Sequence, residues 1–260
     1  MSGRRPLSRT DLLETAIAAA RAGGAMLRER YGNPGRITMK AAGAGPVSEA
    51  DLASETAILS HLRRTGVPVL SEEAGGPASG RRWIVDPLDG TGNFIRRLPW
   101  FGVAVALAAD DVVEVGVVYT PMSGEVFAAA RGGGTTLNGA PIRVSATAPL
   151  AQACVFTSID RGLCANAARI ARFARVAAKV GEMRSPNAAL VDMAHVSAGR
   201  ADAFWEDGLP PWDMAAGSIL VEEAGGTVSG LDGAPLALDG RAIVATNGPI
   251  HAALIAALRD

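Results

Sequence analysis

The chain has 260 residues, 48% of them hydrophobic, and a formal net charge of −1 at pH 7, so it can bury a substantial core as one large domain or two modest ones. The near-zero charge gives no electrostatic reason to expect nucleic acid or a membrane as a partner, and no apolar run resembles a signal peptide or reaches transmembrane length. Two cysteines, Cys154 and Cys164, lie outside CxxC spacing and indicate free thiols, so we expect a cytoplasmic protein.

Two helices are predicted at the start of the chain. The first begins at Thr10 or Asp11, carries small residues suited to tight packing, and ends near Gly32. The second opens at Ser48, which is followed by Glu, Ala and Asp, and is stopped by Gly66. Both helices therefore precede the stretch in which acidic residues concentrate.

That stretch is 83–93, and its residue types indicate metal and phosphate chemistry. The β-forming segment 83–85 runs into Asp86-Pro87, which predicts that the strand stops at Asp86 and turns. A turn with Asp86 and Asp89 at its two ends would point both carboxylates the same way. Close carboxylates repel unless a proton or a cation intervenes, and oxygen ligands without His or Cys favour Mg²⁺, Mn²⁺ or Ca²⁺. Gly90 to Asn93 begin a predicted helix and offer backbone N–H groups to an anion, so the stretch predicts a metal-bridged phosphate.

An ordinary surface turn is the alternative interpretation, because Asp, Pro and Gly are common turn residues. A second acidic pair, Glu72-Glu73, follows another short apolar run at 69–70. Acidic pairs at the ends of two apolar runs favour a site over a simple turn.

The remaining pattern predicts an antiparallel sheet followed by alternating strands and helices. Strands are expected at 101–107, 112–119 and 125–130, with a hairpin at Asn138-Gly139 that leads to a strand at 142–144. Later strands are expected at 155–157, near Met183, at 203–205 and at 243–245, and helices at 166–180, 188–198, 212–223 and 250–258. This order predicts a layered α/β fold with an antiparallel N-terminal sheet and a mixed C-terminal sheet. We expect a metal- and phosphate-binding half, 1–146, and a second half, 147–260, that completes the active site.

Four segments, taken together and in this order, resemble the inositol monophosphatase family: 45–51, 70–73, 86–94 and 211–217. The similarity continues through 137–139 and 203–206 and so covers nearly the whole chain. It implies an αβαβα sandwich of the inositol monophosphatase and fructose-1,6-bisphosphatase type, usually a homodimer. It also implies Mg²⁺-dependent hydrolysis of a phosphate monoester, inhibited by Li⁺.

The resemblance also implies a ligand set for the metal ions. It assigns Glu72, Asp86 and the backbone carbonyl of Leu88 to one Mg²⁺, and Asp86, Asp89 and Asp213 to a second. Asp86 would bridge the two ions, which agrees with the shared carboxylate that a two-metal in-line displacement needs. Glu72 would help to hold a third, weaker ion, so two to three Mg²⁺ ions are expected.

Catalytic roles follow from the same resemblance. Thr91, hydrogen-bonded to Asp51, would orient the attacking water and help to deprotonate it, and Glu72 would act through its metal. Without the resemblance, Asp51 would be interpreted as a first-turn acid that the helix dipole favours. The backbone N–H groups of Gly90 and Thr91 would hold the phosphate, and Glu206 would contact a substrate hydroxyl.

Other positions bear on the substrate. Asp89 and Ala189 are expected on the substrate side, and Lys40 matches a basic residue near the phosphate, although an exposed loop lysine is an equal alternative. Where the family commonly has Gly-Ser/Thr-Ala, this chain has Asn187-Ala188-Ala189, so a glycine and a hydroxyl are missing. Because hydroxyl-binding groups discriminate strongly between substrates, the reaction is better supported than the inositol ring.

The predicted function is therefore an inositol-1-monophosphatase that acts on a small phosphorylated polyol or related metabolite, with no nucleic acid or membrane partner. Related phosphatases that hydrolyse histidinol phosphate, fructose 1,6-bisphosphate or 3′-phosphoadenosine 5′-phosphate are the alternative. An aspartyl-phosphate phosphatase is disfavoured, because two residues separate Asp86 from Asp89 and its Asp-x-Asp motif is not met. A non-catalytic scaffold is less expected, because the acidic set is intact.

Overall fold

The computed structural model describes residues 7–40, 45–159 and 161–259. Its helices are α1 (Arg9–Arg30), α2 (Glu49–Leu62), α3 (Thr91–Ile95), α4 (Arg161–Cys164), α5 (Ala167–Ala177), α6 (Ala189–Ser197), α7 (Ala215–Glu223) and α8 (His251–Arg259). Its first nine strands are β1 (Ile37–Met39), β2 (Pro46–Ser48), β3 (Val69–Ser71), β4 (Arg81–Asp89), β5 (Gly102–Ala109), β6 (Val112–Thr120), β7 (Glu125–Ala130), β8 (Thr135–Leu137) and β9 (Ala140–Ile142). The later strands are β10 (Cys154–Phe156), β11 (Glu182–Arg184), β12 (Ala203–Asp207), β13 (Thr227–Ser229) and β14 (Ala242–Thr246).

Two large sheets account for most of the strands. The first has seven strands in the order β3-β4-β5-β6-β7-β8-β9, and all neighbours are antiparallel except the edge strand β3, which runs parallel to β4. The second has five strands in the order β11-β10-β12-β14-β13 and is mixed, because β10 is parallel to both of its neighbours. Strands β1 and β2 form a separate antiparallel hairpin.

Side-chain alternation along the strands determines which helices each sheet face contacts. On β5, Val103 and Val105 belong to the core shared with α1 and α2, whereas Ala104 and Ala106 belong to the core shared with α6 and α7. The second sheet contacts α6 and α7 on one face and α5 and α8 on the other. The layers therefore run helix, sheet, helix, sheet, helix, which confirms the αβαβα prediction.

Small residues bring the layers close together. A Cβ added at Gly116 of β6 would overlap Ile219 of α7, and one added at Gly24 of α1 would overlap the Tyr119 ring. Glycine is required at these positions because the facing side chain occupies the space of a Cβ. The small residues of α1 thus pack tightly, as the sequence predicted.

Some expected boundaries were wrong. Helix α1 begins at Arg9 and its N-cap is Ser8, whose hydroxyl accepts the Asp11 N–H at 3.1 Å, rather than Thr10 or Asp11. Strand β4 does not stop at Asp86 but continues to Asp89. Strands β1, β2 and β13 were not predicted, since each has three residues and so short a segment need not show a periodic hydrophobic pattern. Within the ranges described above, no helix combines the length and apolarity needed to cross a bilayer.

Candidate active site

A β-bulge places the two central aspartates. Asp86 pairs with Ala104 and Asp89 pairs with Gly102, so three steps along β4 match only two along β5. Residues three apart on a regular strand point to opposite faces, and the extra residue of a bulge reverses that parity. Both aspartates line one cavity of about 270 Å³. A bulge, and not the expected turn, therefore turns the carboxylates to the same side.

Three carboxylates converge in this cavity. One oxygen each from Glu72, Asp86 and Asp213 lies within 4.8 Å of the others. Glu72 directly follows β3, Asp86 lies on β4, and Asp213 ends the 3₁₀ turn Pro211–Asp213 that packs against β4. Burial, followed by the charge of Glu72, raises the pKa of Asp86 and that of Asp213 well above their usual value.

This donor set fits a hard divalent cation. The three converging groups are carboxylates, and no His or Cys from the described part of the chain belongs to the cluster. Asp86 is almost fully buried, and its Oδ1 accepts the Leu88 N–H at 2.9 Å. Buried carboxylates this close together require protons or a cation, and oxygen-only ligands favour Mg²⁺ or Ca²⁺ over Zn²⁺. The cluster can therefore bind a metal ion.

Asp89 is not one of the three carboxylates whose oxygens lie within 4.8 Å of one another, and it has a different structural role. Its Oδ2 accepts the N–H groups of Leu190 and Val191, both at 2.9 Å, in the first turn of α6. Ala188 occupies the N-cap position of α6 and provides no side-chain cap. Asp89 thus replaces the missing cap, a role that the sequence did not reveal. Burial raises the pKa of Asp89 to about 7, although these two N–H groups oppose the rise.

Thr91 and Asp51 are brought together. Thr91 Oγ1 lies 3.0 Å from Asp51 Oδ1 and 3.0 Å from the Leu88 carbonyl oxygen, so its single proton can be donated to either acceptor. The other Asp51 oxygen, Oδ2, accepts the backbone N–H of Ser48 at 2.8 Å and its hydroxyl at 2.6 Å, which caps α2. Asp51 is therefore both a helix-cap acid and the partner of Thr91.

Gly90 and Thr91 line the cavity. Gly90 has φ 84°, and a Cβ there would lie 3.0 Å from the Trp100 carbonyl oxygen and 3.1 Å from Ala188 Cβ. Helix α3 begins at Thr91, so the first N–H groups of this helix have no acceptor within it. Asn93 holds the segment in place by donating to the Trp100 carbonyl at 2.8 Å and the Pro186 carbonyl at 2.7 Å.

Lys40 is not the exposed loop lysine that remained an alternative. Its Nζ lies 2.5 Å from Glu72 Oε1 and 2.6 Å from Glu73 Oε1, and its side chain is only 19% exposed. Burial alone would lower the pKa of Lys40, but hydrogen bonds to Glu72 and Glu73 raise it above its ordinary value. Lys40 is therefore a cation at the edge of the carboxylate cluster.

The same cavity is lined by Glu206, Ala189 and Asn187, together with Ser158, which the sequence analysis missed. Ser158 Oγ donates to Glu206 Oε2 at 2.5 Å. Strand β10 runs parallel to β12 with Phe156 opposite Phe204, so two further residues bring Ser158 beside Glu206. Only the pairing of β10 with β12 predicts that Ser158 lies beside Glu206. Asn187 has φ 60°, a conformation for which Asn can replace the family's glycine.

Comparisons with known proteins agree with this architecture. The model of the inositol monophosphatase family matches residues 8–260. The chain is 38% identical over 262 residues to the inositol-1-monophosphatase of Mesorhizobium japonicum, covering 97% of this chain and 98% of that protein. It is 36% identical over 260 residues to Nus factor SuhB of Escherichia coli, covering 96% of each. The crystal structure of extragenic suppressor protein suhB from Bartonella henselae superposes with a TM-score of 0.90 at 36% identity, covering 96% of this chain and 98% of that one. The chain belongs to the inositol monophosphatase family.

Proposed function

We propose that the protein is a Mg²⁺-dependent phosphate monoester hydrolase that converts inositol 1-phosphate to inositol and phosphate. One observation carries this proposal: the carboxylates of Glu72, Asp86 and Asp213 converge in a cavity that Thr91 also lines, and the Thr91 hydroxyl lies 3.0 Å from Asp51 Oδ1. Metal ligands thus lie beside a hydroxyl that a carboxylate orients. The name of the Mesorhizobium relative supports the substrate.

The roles of the residues follow from their contacts. Glu72, Asp86, Asp89, Asp213 and the Leu88 carbonyl would hold two to three Mg²⁺ ions. Bound metal would polarise the phosphate and lower the pKa of a water molecule. When the Thr91 hydroxyl donates its hydrogen bond to Asp51, Thr91 Oγ1 presents a lone pair that orients this water for in-line attack.

The substrate would be held from two sides. The N–H groups of Gly90 and Thr91 would donate to the phosphate oxygens, and Glu206, positioned by Ser158, would accept a hydrogen bond from a substrate hydroxyl. Lys40 would add positive charge at the cavity edge, and Asp89 would fix Ala189 at the start of α6.

A related small-molecule phosphatase is the second candidate, and the segment 187–189 favours it. Ala188 offers no hydroxyl, and the Asn187 side chain is bonded to its own surroundings, accepting from Ser185 Oγ at 2.7 Å and from the Ile159 N–H at 3.2 Å. A phosphate-release panel should compare inositol 1-phosphate, histidinol phosphate, fructose 1,6-bisphosphate and 3′-phosphoadenosine 5′-phosphate. We expect the fastest release from inositol 1-phosphate, and faster release from another compound would transfer the assignment to that compound.

The metal site is tested by Asp213→Asn, which preserves side-chain volume but removes a charged ligand. Even residues that only support metal ligands alter affinity or activity roughly 10–100-fold, so we expect at least this loss of phosphate release at limiting Mg²⁺. Asp232→Asn, at an exposed turn, is the matched control and should behave as wild type. A wild-type rate for Asp213→Asn at limiting Mg²⁺ would show that Asp213 is not a ligand.

Assembly and location also remain proposals. We propose a cytoplasmic homodimer without a nucleic acid partner, as the sequence led us to expect. Sedimentation of the purified protein with and without added RNA measures both its subunit number and its binding to RNA.

A further inference from the structure

Helix α2 presents a stripe of buried polar side chains toward the candidate active site. Asp51, Ser54 and Glu55 are spaced i, i+3 and i+4, which places them on one face of the helix. Their exposed fractions are 1%, 0% and 8%. Burying a carboxylate costs free energy that burying an apolar side chain does not, so this stripe requires contacts that explain it.

The stripe reaches three segments of the site. Asp51 lies 3.0 Å from the Thr91 hydroxyl, and the Ser54 hydroxyl donates to the Pro87 carbonyl, inside the β4 bulge, at 2.7 Å. These two contacts hold the start of α3 and the bulge. The third member of the stripe reaches the segment 71–75.

This segment, which we name the acidic turn, carries Glu72 and Glu73. Ser71 and Gly75 close its ends with two backbone hydrogen bonds, of 3.1 and 2.9 Å. The Glu72 carboxylate belongs to the cluster that can bind a metal ion. Its position therefore depends on the conformation of a short turn at the end of β3.

Glu55 is hydrogen-bonded to both sides of the acidic turn. Its Oε1 accepts the Ser71 hydroxyl at 2.5 Å and the Ala74 N–H at 3.0 Å. Ser71 and Ala74 flank the two glutamates, so one oxygen atom contacts both sides of the segment from which the Glu72 side chain extends. Neither contact uses the Glu72 carboxylate, which stays available to a metal ion.

Helix α2 is a firm support for these contacts. Ser48 begins it with a capping box, in which side chain and backbone bond reciprocally. It packs so closely on α1 that a Cβ added at Gly23 would lie 2.7 Å from Ser54 Oγ and 2.8 Å from the Ile58 side chain. Supporting groups on packed helices position a site more precisely than groups on loops. Glu55 thus ties the acidic turn to a well-held element.

We propose that Glu55 is a positioning residue for the metal site, which orients the Glu72 carboxylate by holding Ser71 and Ala74 and does not contact the metal ion itself. The inference rests on the proposed Mg²⁺-dependent function and adds a residue that does not line the 270 Å³ cavity. The role requires a hydrogen-bond acceptor and not a negative charge, because both bonds go to the same oxygen.

Glu55→Met and Glu55→Gln test this requirement. Glutamine keeps an acceptor oxygen, whereas methionine keeps a long unbranched side chain but only a weakly accepting sulfur. Isothermal titration calorimetry measures Mg²⁺ binding to the substrate-free protein and does not depend on turnover. Because loss of a group that orients a metal ligand typically weakens affinity 10–100-fold, the Kd for Mg²⁺ should rise by about this factor in Glu55→Met. Glu55→Gln should bind Mg²⁺ with nearly wild-type affinity.

Thr135→Val is the matched control for the loss of a buried hydrogen bond. Thr135 is 2% exposed, its hydroxyl donates to the Leu220 carbonyl at 2.7 Å, and it lies on β8, outside the lining of the cavity. It should lower the urea midpoint of unfolding, as Glu55→Met should, and leave the Kd for Mg²⁺ unchanged. Similar losses of Mg²⁺ affinity in these two variants would assign the effect to general destabilisation and overturn the proposal.

Phosphate release from inositol 1-phosphate gives a second readout. The rate of Glu55→Met should fall at limiting Mg²⁺ and recover at saturating Mg²⁺, because every proposed metal ligand is still present. A loss of kcat that saturating Mg²⁺ does not reverse, together with a wild-type Kd for Mg²⁺, would contradict a positioning role.

Ser71→Ala decides the question if Glu55→Met does not fold. It removes one of the two hydrogen bonds and only a hydroxyl group, so we expect a smaller rise in the Kd for Mg²⁺. An unchanged Kd in the folded Ser71→Ala protein would overturn the proposal.

Failure of this inference differs from failure of the proposed function. If the wild type binds Mg²⁺ and hydrolyses inositol 1-phosphate, but Glu55→Met binds Mg²⁺ equally well, only the inference fails. If the wild type binds Mg²⁺ but releases no phosphate, the proposed function fails and calorimetry still decides the role of Glu55. If the wild type binds no Mg²⁺, both fail.

Discussion

At the scale of single residues, Asp51 links a helix cap to Thr91, the residue proposed to orient the attacking water. Its Oδ2 is occupied by Ser48 and its Oδ1 by Thr91, so the cap holds the carboxylate in the orientation that Thr91 needs. Substitution of Asp51 therefore changes stability and turnover together, and the two effects must be separated experimentally.

Thr91→Ala should lower kcat by roughly 10²–10⁴-fold with little change in KM, because a water-orienting hydroxyl acts mainly in the transition state. Asp51→Asn should act through the same hydroxyl, so the double variant should be little worse than either single one. Ser48→Ala is the control: it should cost about 1 kcal/mol of unfolding free energy through the cap. It should leave kcat near that of wild type, because the backbone N–H of residue 48 still holds Asp51 Oδ2. Fully additive losses in the double variant would exclude a Thr91–Asp51 unit.

At the scale of secondary-structure elements, Asp89 connects the first large sheet to helix α6. It lies on β4 of the first sheet and caps α6, the helix between the sheets, in place of the N-cap side chain that Ala188 lacks. The start of α6 is thus tied to the aspartate expected to bind metal, and the missing hydroxyl at 188 is compensated from another element.

A second substitution should therefore restore the stability of the Asp89→Ala variant but not its activity. The variant should lose about 1 kcal/mol of unfolding free energy with the α6 cap, and Ala188→Ser in the same chain should restore part of it by offering a hydroxyl to the same N–H groups. Urea unfolding measures the first effect and phosphate release the second. If Ala188→Ser restored activity as well, Asp89 would act on α6 and not on the metal.

The sequence predicted the helices and strands better than the contacts between them. The hydrophobic alternation of β5 and β6 and the cap at Ser48 were sufficient to locate these elements within one or two residues. The sequence analysis predicted a turn where β4 has a bulge. An Asp-Pro pair is compatible with a turn and with a bulge, and only the pairing of β4 with β5 distinguishes the two structures. The residues of the Ser158–Glu206 contact are 48 positions apart in the sequence. Asp89 is 101 and 102 positions from the two residues whose N–H groups it caps in α6. No local sequence pattern predicts contacts over such separations.

At the scale of the whole molecule, the site is assembled from both parts of the chain. Glu72, Asp86 and Thr91 precede residue 147, and Glu206 and Asp213 follow it, while the core around α6 and α7 includes residues from either side. The division into halves 1–146 and 147–260 stays a prediction. Neither half contains the full set of lining residues of the 270 Å³ cavity.

The buried carboxylates predict a pH effect when metal is removed. The pKa of Asp89 is raised to about 7 by burial, whereas an unfolded aspartate titrates near 3.9. Between these values the folded protein binds more protons than the unfolded one, so this contribution to stability is present below about pH 4 and is lost as the pH rises to about 7.

Urea unfolding in EDTA should therefore show lower stability at pH 7 than at pH 5, and added Mg²⁺ should stabilise the protein more at pH 7. Asp89→Asn in EDTA is the control and should show a smaller difference between the two pH values. Equal stabilisation by Mg²⁺ at both pH values would contradict a metal site built from these carboxylates.

The bulge in β4 also constrains how the chain can change in length. Deleting one residue between Asp86 and Asp89 would place them two apart, still on one face of a regular strand. Such a strand would commit its carbonyls to the sheet, whereas here the Pro87 carbonyl accepts the Ser54 hydroxyl at 2.7 Å and the Leu88 carbonyl lies 3.0 Å from Thr91 Oγ1. We therefore expect substitutions at 87 and 88 to be tolerated more readily in evolution than a deletion, because the number of residues, more than their identity, frees these backbone oxygens.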